Sequence, residues 1–223
     1  MKHKIITLTA ILFSISLSAQ EATNLETSSD TAHYTLGAFV GKWMVNNGFS
    51  ISDFAMFQTG MTDVQTGKEL AIPDSAINST VAAYQLSIQN ERSRQMEQQL
   101  FAELKGKPGV GALPSGVHYI VIKAGTGNRP AASDSIVFDA IGVFPDGNLF
   151  ENTIEKGQPI RNITSNLIPG LSEAVQIMPE GSTWRVFVPS AMAYGPQGVP
   201  NLIPPNTALV FEITLNEVIT NKE

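Results

Sequence analysis

Residues 193–211 read AYGPQGVPNLIPPNTALVF, and two different patterns meet within them. Pro196, Gly198, Pro200, Pro204 and Pro205 punctuate the first half. Proline opposes both a helix interior and the middle of a sheet. Leu202 and Ile203 lie between those prolines, where neither strand nor helix would bury them efficiently. Apolar side chains in such a rigid loop either line a binding surface or fold onto the core. From Ala208 to Val218 apolar residues alternate with polar ones, the period of a strand.

The same period of two extends backwards from this stretch. His118 to Ile122, Ser135 to Val143 and Thr183 to Val188 read as strands. Asp146-Gly147 is a tight hairpin signal between Phe144 and Leu149. Pro169 to Ile177 reads as one short helix, started by Pro169 and stopped at Pro179. Several strands and a single short helix predict an α+β domain in the C-terminal half.

Ahead of residue 105 the period is helical. Asp30 or Thr31 can cap a helix carrying Tyr34, Leu36, Phe39, Val40 and Trp43, and Asn46-Asn47-Gly48 stops it. Ser52 or Asp53 starts a second, with Phe54, Met56, Phe57 and Met61 before Gly67. Pro73-Asp74-Ser75 opens a third that runs to Leu104, where Lys105-Gly106-Lys107-Pro108-Gly109 ends it. Its middle, Gln89 to Gln99, is almost wholly polar, as in a helix with solvent on all sides. That middle suits a rigid arm between modules or a surface helix curling back on the second domain. Residues 30–73 thus form an all-helical module and residues 74–105 a long connecting helix.

Lys2, His3 and Lys4 precede the thirteen apolar and small residues Ile5 to Leu17, and Ser18-Ala19-Gln20 follows. A basic start, a short apolar run and a small-residue exit describe a secretory signal peptide over residues 1–19. The run is too short for a membrane span, which needs ~20 apolar residues. A polar leader occupies 20–29. Cleavage near Ala19 removes Lys2 and Lys4 and no acid, so the net charge falls from −6 to −8. That charge argues against general affinity for nucleic acid.

The whole chain is 43% hydrophobic and 15% charged, enough for a packed core, and contains no cysteine. Disulfides, thiolate nucleophiles, Cys-ligated zinc and iron–sulfur clusters are therefore excluded. His33 and His118 are isolated, and no paired-histidine, EF-hand, nucleophile-elbow or phosphate-loop pattern occurs. Gly125-Thr126-Gly127 is followed by Asn128-Arg129-Pro130, so a dinucleotide fingerprint fails at its third glycine. Asp139, Asp146, Glu151 and Glu155 could support paired-carboxylate chemistry, but carboxylates in hairpins are usually solvated. No cofactor and no metal site are expected.

Several motifs, taken in order, carry a resemblance. They are Phe144-Pro145-Asp146-Gly147-Asn148-Leu149-Phe150-Glu151, Ile168-Pro169-Gly170-Leu171-Ser172-Glu173-Ala174 and Met178-Pro179-Glu180-Gly181-Ser182. Ala193-Tyr194-Gly195, Ile203-Pro204-Pro205-Asn206 and Leu209-Val210-Phe211-Glu212 complete the set. The C-terminal half, residues 110–220, resembles an FKBP-type peptidyl-prolyl cis/trans isomerase, which implies a curved antiparallel sheet wrapped on one short helix. Tyr34 to Gly41 and the long helix are similar to the N-terminal domain of the macrophage-infectivity-potentiator-type exported isomerases.

That resemblance implies an exported, periplasmic isomerase acting on proline-containing unfolded or partly folded polypeptides, a homodimer through its N-terminal helices. The alternative it leaves open is a non-catalytic chaperone retaining the fold. It implies Phe150 as a wall of a proline pocket, Glu151 as the neighbouring carboxylate and Leu171 as the floor. Tyr194 would be the hydroxyl donor and Phe211 the far wall. Leu167 and Ile168 would supply a backbone amide for substrate, and Leu202 and Ile203 the flap. Ala140, Glu151, Leu171 and Ile160 depart from the family, which commonly has Tyr, Asp, Trp and an aromatic there. A wider, less aromatic pocket implies weak activity and poor affinity for the family's macrolide inhibitors.

Overall fold

The computed structural model describes residues 23–221, so the signal peptide expected over residues 1–19 lies outside the described residues. The chain divides after Asn46 into two units.

Among the described residues the first unit holds one helix, α1 (Ser28–Asn46). Its start is set one turn earlier than Asp30 or Thr31 would set it. The Thr27 hydroxyl accepts from the Asp30 N–H at 3.0 Å, and the Asp30 carboxylate accepts from the Thr27 N–H at 2.9 Å. This reciprocal pair satisfies two of the donors a helix start leaves over. The bonds from Thr27 hold the Asp30 carboxyl below the ordinary carboxylate range. None of the α1 residues is buried.

The second unit opens with α2 (Phe54–Thr66), capped by Asp53, whose carboxylate accepts from the Met56 N–H at 2.9 Å. Gly67 closes it in the left-handed conformation at φ 68°. α3 (Asp74–Leu104) then runs unbroken for 31 residues. Near its start the Tyr84 hydroxyl donates to the Ser50 carbonyl and the Gln85 amide donates to the Asn47 carbonyl. Its polar middle is not solvated on all sides. Ser93 is buried, and Leu104 at the end packs with Phe187 and Val210 on the outer face of the following sheet.

That sheet has seven strands: β1 (Val110–Ala112), β2 (His118–Lys123), β3 (Ser135–Val143), β4 (Leu149–Asn152), β5 (Ile160–Ile163), β6 (Thr183–Val188) and β7 (Leu209–Ile219). Every pairing is antiparallel, in the order β1-β2-β6-β7-β3-β4, with β5 also paired to β3. β1, β4 and β5 are three or four residues long, and a period of two cannot be read over so few positions. The Asp146-Gly147 turn joins β3 to β4, with Gly147 at φ 86° and its N–H on the Phe144 carbonyl at 2.9 Å.

Directly paired residues share a face of the sheet. Ala140, Ile213 and Trp184 form one inward row, and Gly142, Phe211, Val186 and Tyr119 the next. Against these rows lies α5 (Pro169–Ile177), which buries Leu171, Ala174 and Val175, one stripe of a helix begun by Pro169.

β3 meets two partners on the edge opposite β7: β5 over Ser135 to Phe138, and β4 over Ile141 to Val143. Between them the Ala140 N–H would lack a strand partner. The one-turn helix α4 (Thr153–Lys156) supplies it. The Thr153 hydroxyl accepts from the Ala140 N–H at 2.9 Å and donates to the Asp139 carboxylate at 3.0 Å. Thr153→Val, which keeps the shape and removes the hydroxyl, is expected to cost about 1–3 kcal/mol, the penalty of a buried donor left unpaired. Urea unfolding checks this: a lowered midpoint restored by Thr153→Ser is expected, and an unchanged midpoint would contradict it.

Candidate active site

The inward row at Gly142 builds the centre of the site. Gly142 pairs with Phe211, and the Phe150 ring lies over it. A Cβ at position 142 would stand 2.6 Å from that ring, so only glycine admits it. With the space open, Phe150 stands edge-on to Phe211, ring centres 5.5 Å apart at 89°. On its other side Phe144 leans against it at 5.0 Å. Each such pair contributes ~0.5–1.5 kcal/mol beyond burial, which fixes ring orientation as well as position.

The residues singled out from the sequence then separate into groups. Ala140, Leu171, Ile203 and Phe211 are buried, at 2%, 6%, 4% and 7% exposure, in the same apolar cluster. Phe150, Ile160, Leu167 and Ile168 are half-buried and pack against it. Tyr194 and Leu202 are exposed, at 41% and 52%. Glu151 is engaged locally: its carboxylate pairs with Lys156 at 2.5 Å and accepts from the Asn152 N–H at 3.0 Å.

Leu202 and Ile203 have opposite fates for a local reason. Val199 and Ile203 form an antiparallel bridge, with N–H···O distances of 2.8 and 2.9 Å, around Asn201 at φ 60°. The bridge turns Ile203 into the core and leaves Leu202 on the tip of the flap. Gly198 sits so close that a Cβ there would meet the Ile203 carbonyl oxygen at 2.3 Å.

Ile168 precedes α5, and its carbonyl accepts from the Ser172 N–H at 2.9 Å. Among the described residues its own N–H has no hydrogen-bond partner, nor has the Tyr194 hydroxyl. Two donors therefore remain for another molecule, on segments that border an apolar cluster. Asp139 binds Thr153 and Asn216, and among the described residues no group of three or more His, Asp or Glu could hold a metal ion.

Gly142 was not among the residues the sequence singled out. The available signal was a glycine at an inward place in an otherwise alternating strand. Thr153 carried no such signal, because its role depends on where β4 and β5 leave β3.

An antiparallel sheet packed on one helix, with perpendicular aromatic rings and two unengaged donors, is suited to receiving an apolar group. Its family is specific. The chain belongs to the FKBP-type peptidyl-prolyl cis-trans isomerases, matching that domain over residues 127–216. Residues 29–121 match the domain amino terminal to FKBP-type isomerases. It is 35% identical to the outer membrane protein MIP of Legionella longbeachae, over 98% of both chains. Identity to the peptidyl-prolyl cis-trans isomerase Mip of Coxiella burnetii is 31%, over 98% of this chain and 99% of that one. The crystal structure of FkpA from Escherichia coli superposes with a TM-score of 0.57 at 26% identity, covering 88% of this chain and 99% of that one.

Gly142→Ala tests the ring arrangement. Displacing Phe150 from the row is expected to lower isomerase kcat/KM about tenfold, and overpacking is expected to cost ~1–3 kcal/mol of stability. Gly142→Ala with Phe150→Leu should recover stability without recovering rate. Wild-type kinetics for Gly142→Ala would contradict the requirement for glycine.

Proposed function

We propose that this protein is an exported peptidyl-prolyl cis/trans isomerase that binds X–Pro segments of unfolded or partly folded polypeptides, with a turnover weakened by its own pocket residues. The perpendicular Phe150–Phe211 pair carries this reading, because it holds two apolar rings at a fixed angle against which a proline ring can rest. Amide resonance sets a rotation barrier of ~18–20 kcal/mol, and it places partial negative charge on oxygen and partial positive charge on nitrogen. An apolar hollow disfavours that charge separation and so favours the twisted amide, in which resonance is lost. No nucleophile is needed. The proline ring rests against Phe150, Phe211 and Leu171, while the Ile168 N–H and the Tyr194 hydroxyl receive substrate carbonyls. Glu151, held to Lys156, fixes the chain just after Phe150.

Three positions soften the grip. Ala140 and Leu171 are buried members of the cluster, and Ile160 packs on it, yet none is aromatic. Leu171→Trp and Ala140→Tyr are each expected to raise kcat/KM in a proline-peptide assay by up to about tenfold, ~1.4 kcal/mol of transition-state stabilisation. Macrolide affinity should rise in parallel. Folded variants with no gain in either would contradict the explanation for weak turnover.

The basic start and short apolar run at residues 2–17 support export to the periplasm, and no helix among the described residues is long and apolar enough to cross a membrane. Exposed Tyr34, Leu36, Phe39 and Trp43 on α1 support a homodimer through the N-terminal helices. Two linked pockets would hold one client by avidity even where each site is weak. Sedimentation of residues 20–223 is expected to give twice the monomer mass, reduced to the monomer by Leu36→Glu with Phe39→Glu. A wild-type monomer would remove the dimer.

A further inference from the structure

The polar middle of α3 carries a stripe that the isomerase site does not use. Asn90, Ser93 and Glu97 fall three and four residues apart, on one face of the helix, continued by Leu100, Phe101 and Leu104. The apolar end of that stripe packs on the outer face of the sheet, against Phe187, Val210 and Val143. The polar end meets the loops on either side of Tyr194.

The contacts form a closed circuit. The Glu97 carboxylate accepts from the Ser190 N–H at 3.2 Å. The Ser190 carbonyl accepts from the Gly195 N–H at 2.9 Å, and the Gly195 carbonyl accepts from the Asn206 N–H at 2.8 Å. The Asn206 side-chain amide donates to the side-chain Oδ1 of Asn90 at 3.2 Å, which returns the circuit to α3. Asn206 is in the left-handed region, at φ 53°, a conformation asparagine tolerates better than most side chains do. The next residue adds a second tie. The Thr207 hydroxyl donates to the Pro205 carbonyl at 3.3 Å and shares a buried hydrogen bond of 3.1 Å with Ser93. With the Thr207 proton on Pro205, Ser93 is the donor.

These bonds bracket the Tyr194 turn and the base of the Leu202–Ile203 flap. Elsewhere the flap and the helix stand apart: a cavity of about 490 Å³ opens between Gln89 and residues 197–205. Discrete polar contacts therefore fix the flap on this side.

We infer that Asn90, Ser93 and Glu97 are positioning residues for the isomerase site, holding the flap and the Tyr194 turn in the geometry that receives the substrate. The inference rests on the isomerase reading above. None of the three touches the reacting amide. They act through Asn206, Thr207 and Ser190, by removing freedom that substrate binding would otherwise have to remove. The catalytic loops are thus completed by a helix that precedes the isomerase-type domain in the chain.

The test uses the full chain in two measurements. In the variant combining Asn90→Ala, Ser93→Ala and Glu97→Ala, KM for a proline tetrapeptide is expected to rise about tenfold, the scale set by losing one or two net hydrogen bonds, with kcat changed less than threefold. Amide exchange at Leu202, Ile203 and Asn206 should accelerate, while β3 and β7 keep their protection. Glu97→Ala alone should show a smaller rise in KM, and Glu97→Gln, which still offers an oxygen to the Ser190 N–H, should restore it. Leu104→Ala, at the apolar end of the stripe, should lower the urea midpoint without moving KM. Unchanged KM and unchanged flap exchange in the folded triple variant would overturn the inference. Should the wild type itself fail to isomerise, exchange decides alone: acceleration upholds the positioning role although the isomerase reading has failed, and unchanged exchange overturns it.

Discussion

β3 has to serve two partners along a single edge, and the site follows from how it does so. β7 pairs with the whole of its other side, which keeps the inward rows of both strands aligned. On the divided edge β4 carries Phe150 and β5 carries Ile160, so both side chains hang from one strand. The division leaves the Ala140 N–H between partners, and the Thr153 hydroxyl fills that place. A buried donor left unpaired there would cost about 1–3 kcal/mol.

The second half of the molecule therefore works by shape. Glycine at position 142 lets the Phe150 ring cross the strand, and Phe211 sets its angle. The buried rows beneath are ordinary core, which is why pocket and core share Leu171, Ala140 and Phe211. A pocket of this kind does not need reactive groups, and the chain has no cysteine to offer. Its strength depends on how much apolar surface faces the proline. On the proposed function, Ala140, Leu171 and Ile160 reduce it, because none of them is aromatic.

Much of this was legible in the sequence where a pattern repeats often enough. Nine residues of β3 and six of β6 alternate clearly, whereas three-residue β1 and four-residue β4 and β5 do not. The Asp146-Gly147 turn and the Pro169 start of α5 follow from backbone preferences that no tertiary contact overrides. Other features depend on the fold. Leu202 and Ile203 are adjacent and equally apolar, and only the Val199–Ile203 bridge sends one inward and the other out. The face of α3 that meets the catalytic loops escaped hydrophobic periodicity because Asn90, Ser93 and Glu97 are polar. A polar stripe at helical spacing looks solvated until its partners are known.

On the proposed function, apolar walls at a fixed angle lower the barrier to rotation about an X–Pro amide. Cis–trans exchange in a short proline peptide, followed by NMR with a small amount of protein added, measures this directly. Spontaneous exchange takes tens to hundreds of seconds. Wild-type protein is expected to shorten it in proportion to its concentration, and folded Phe150→Leu, which removes the ring over Gly142, should lose most of that effect. Exchange at the spontaneous rate with wild-type protein, or equal acceleration by wild type and Phe150→Leu, would contradict it.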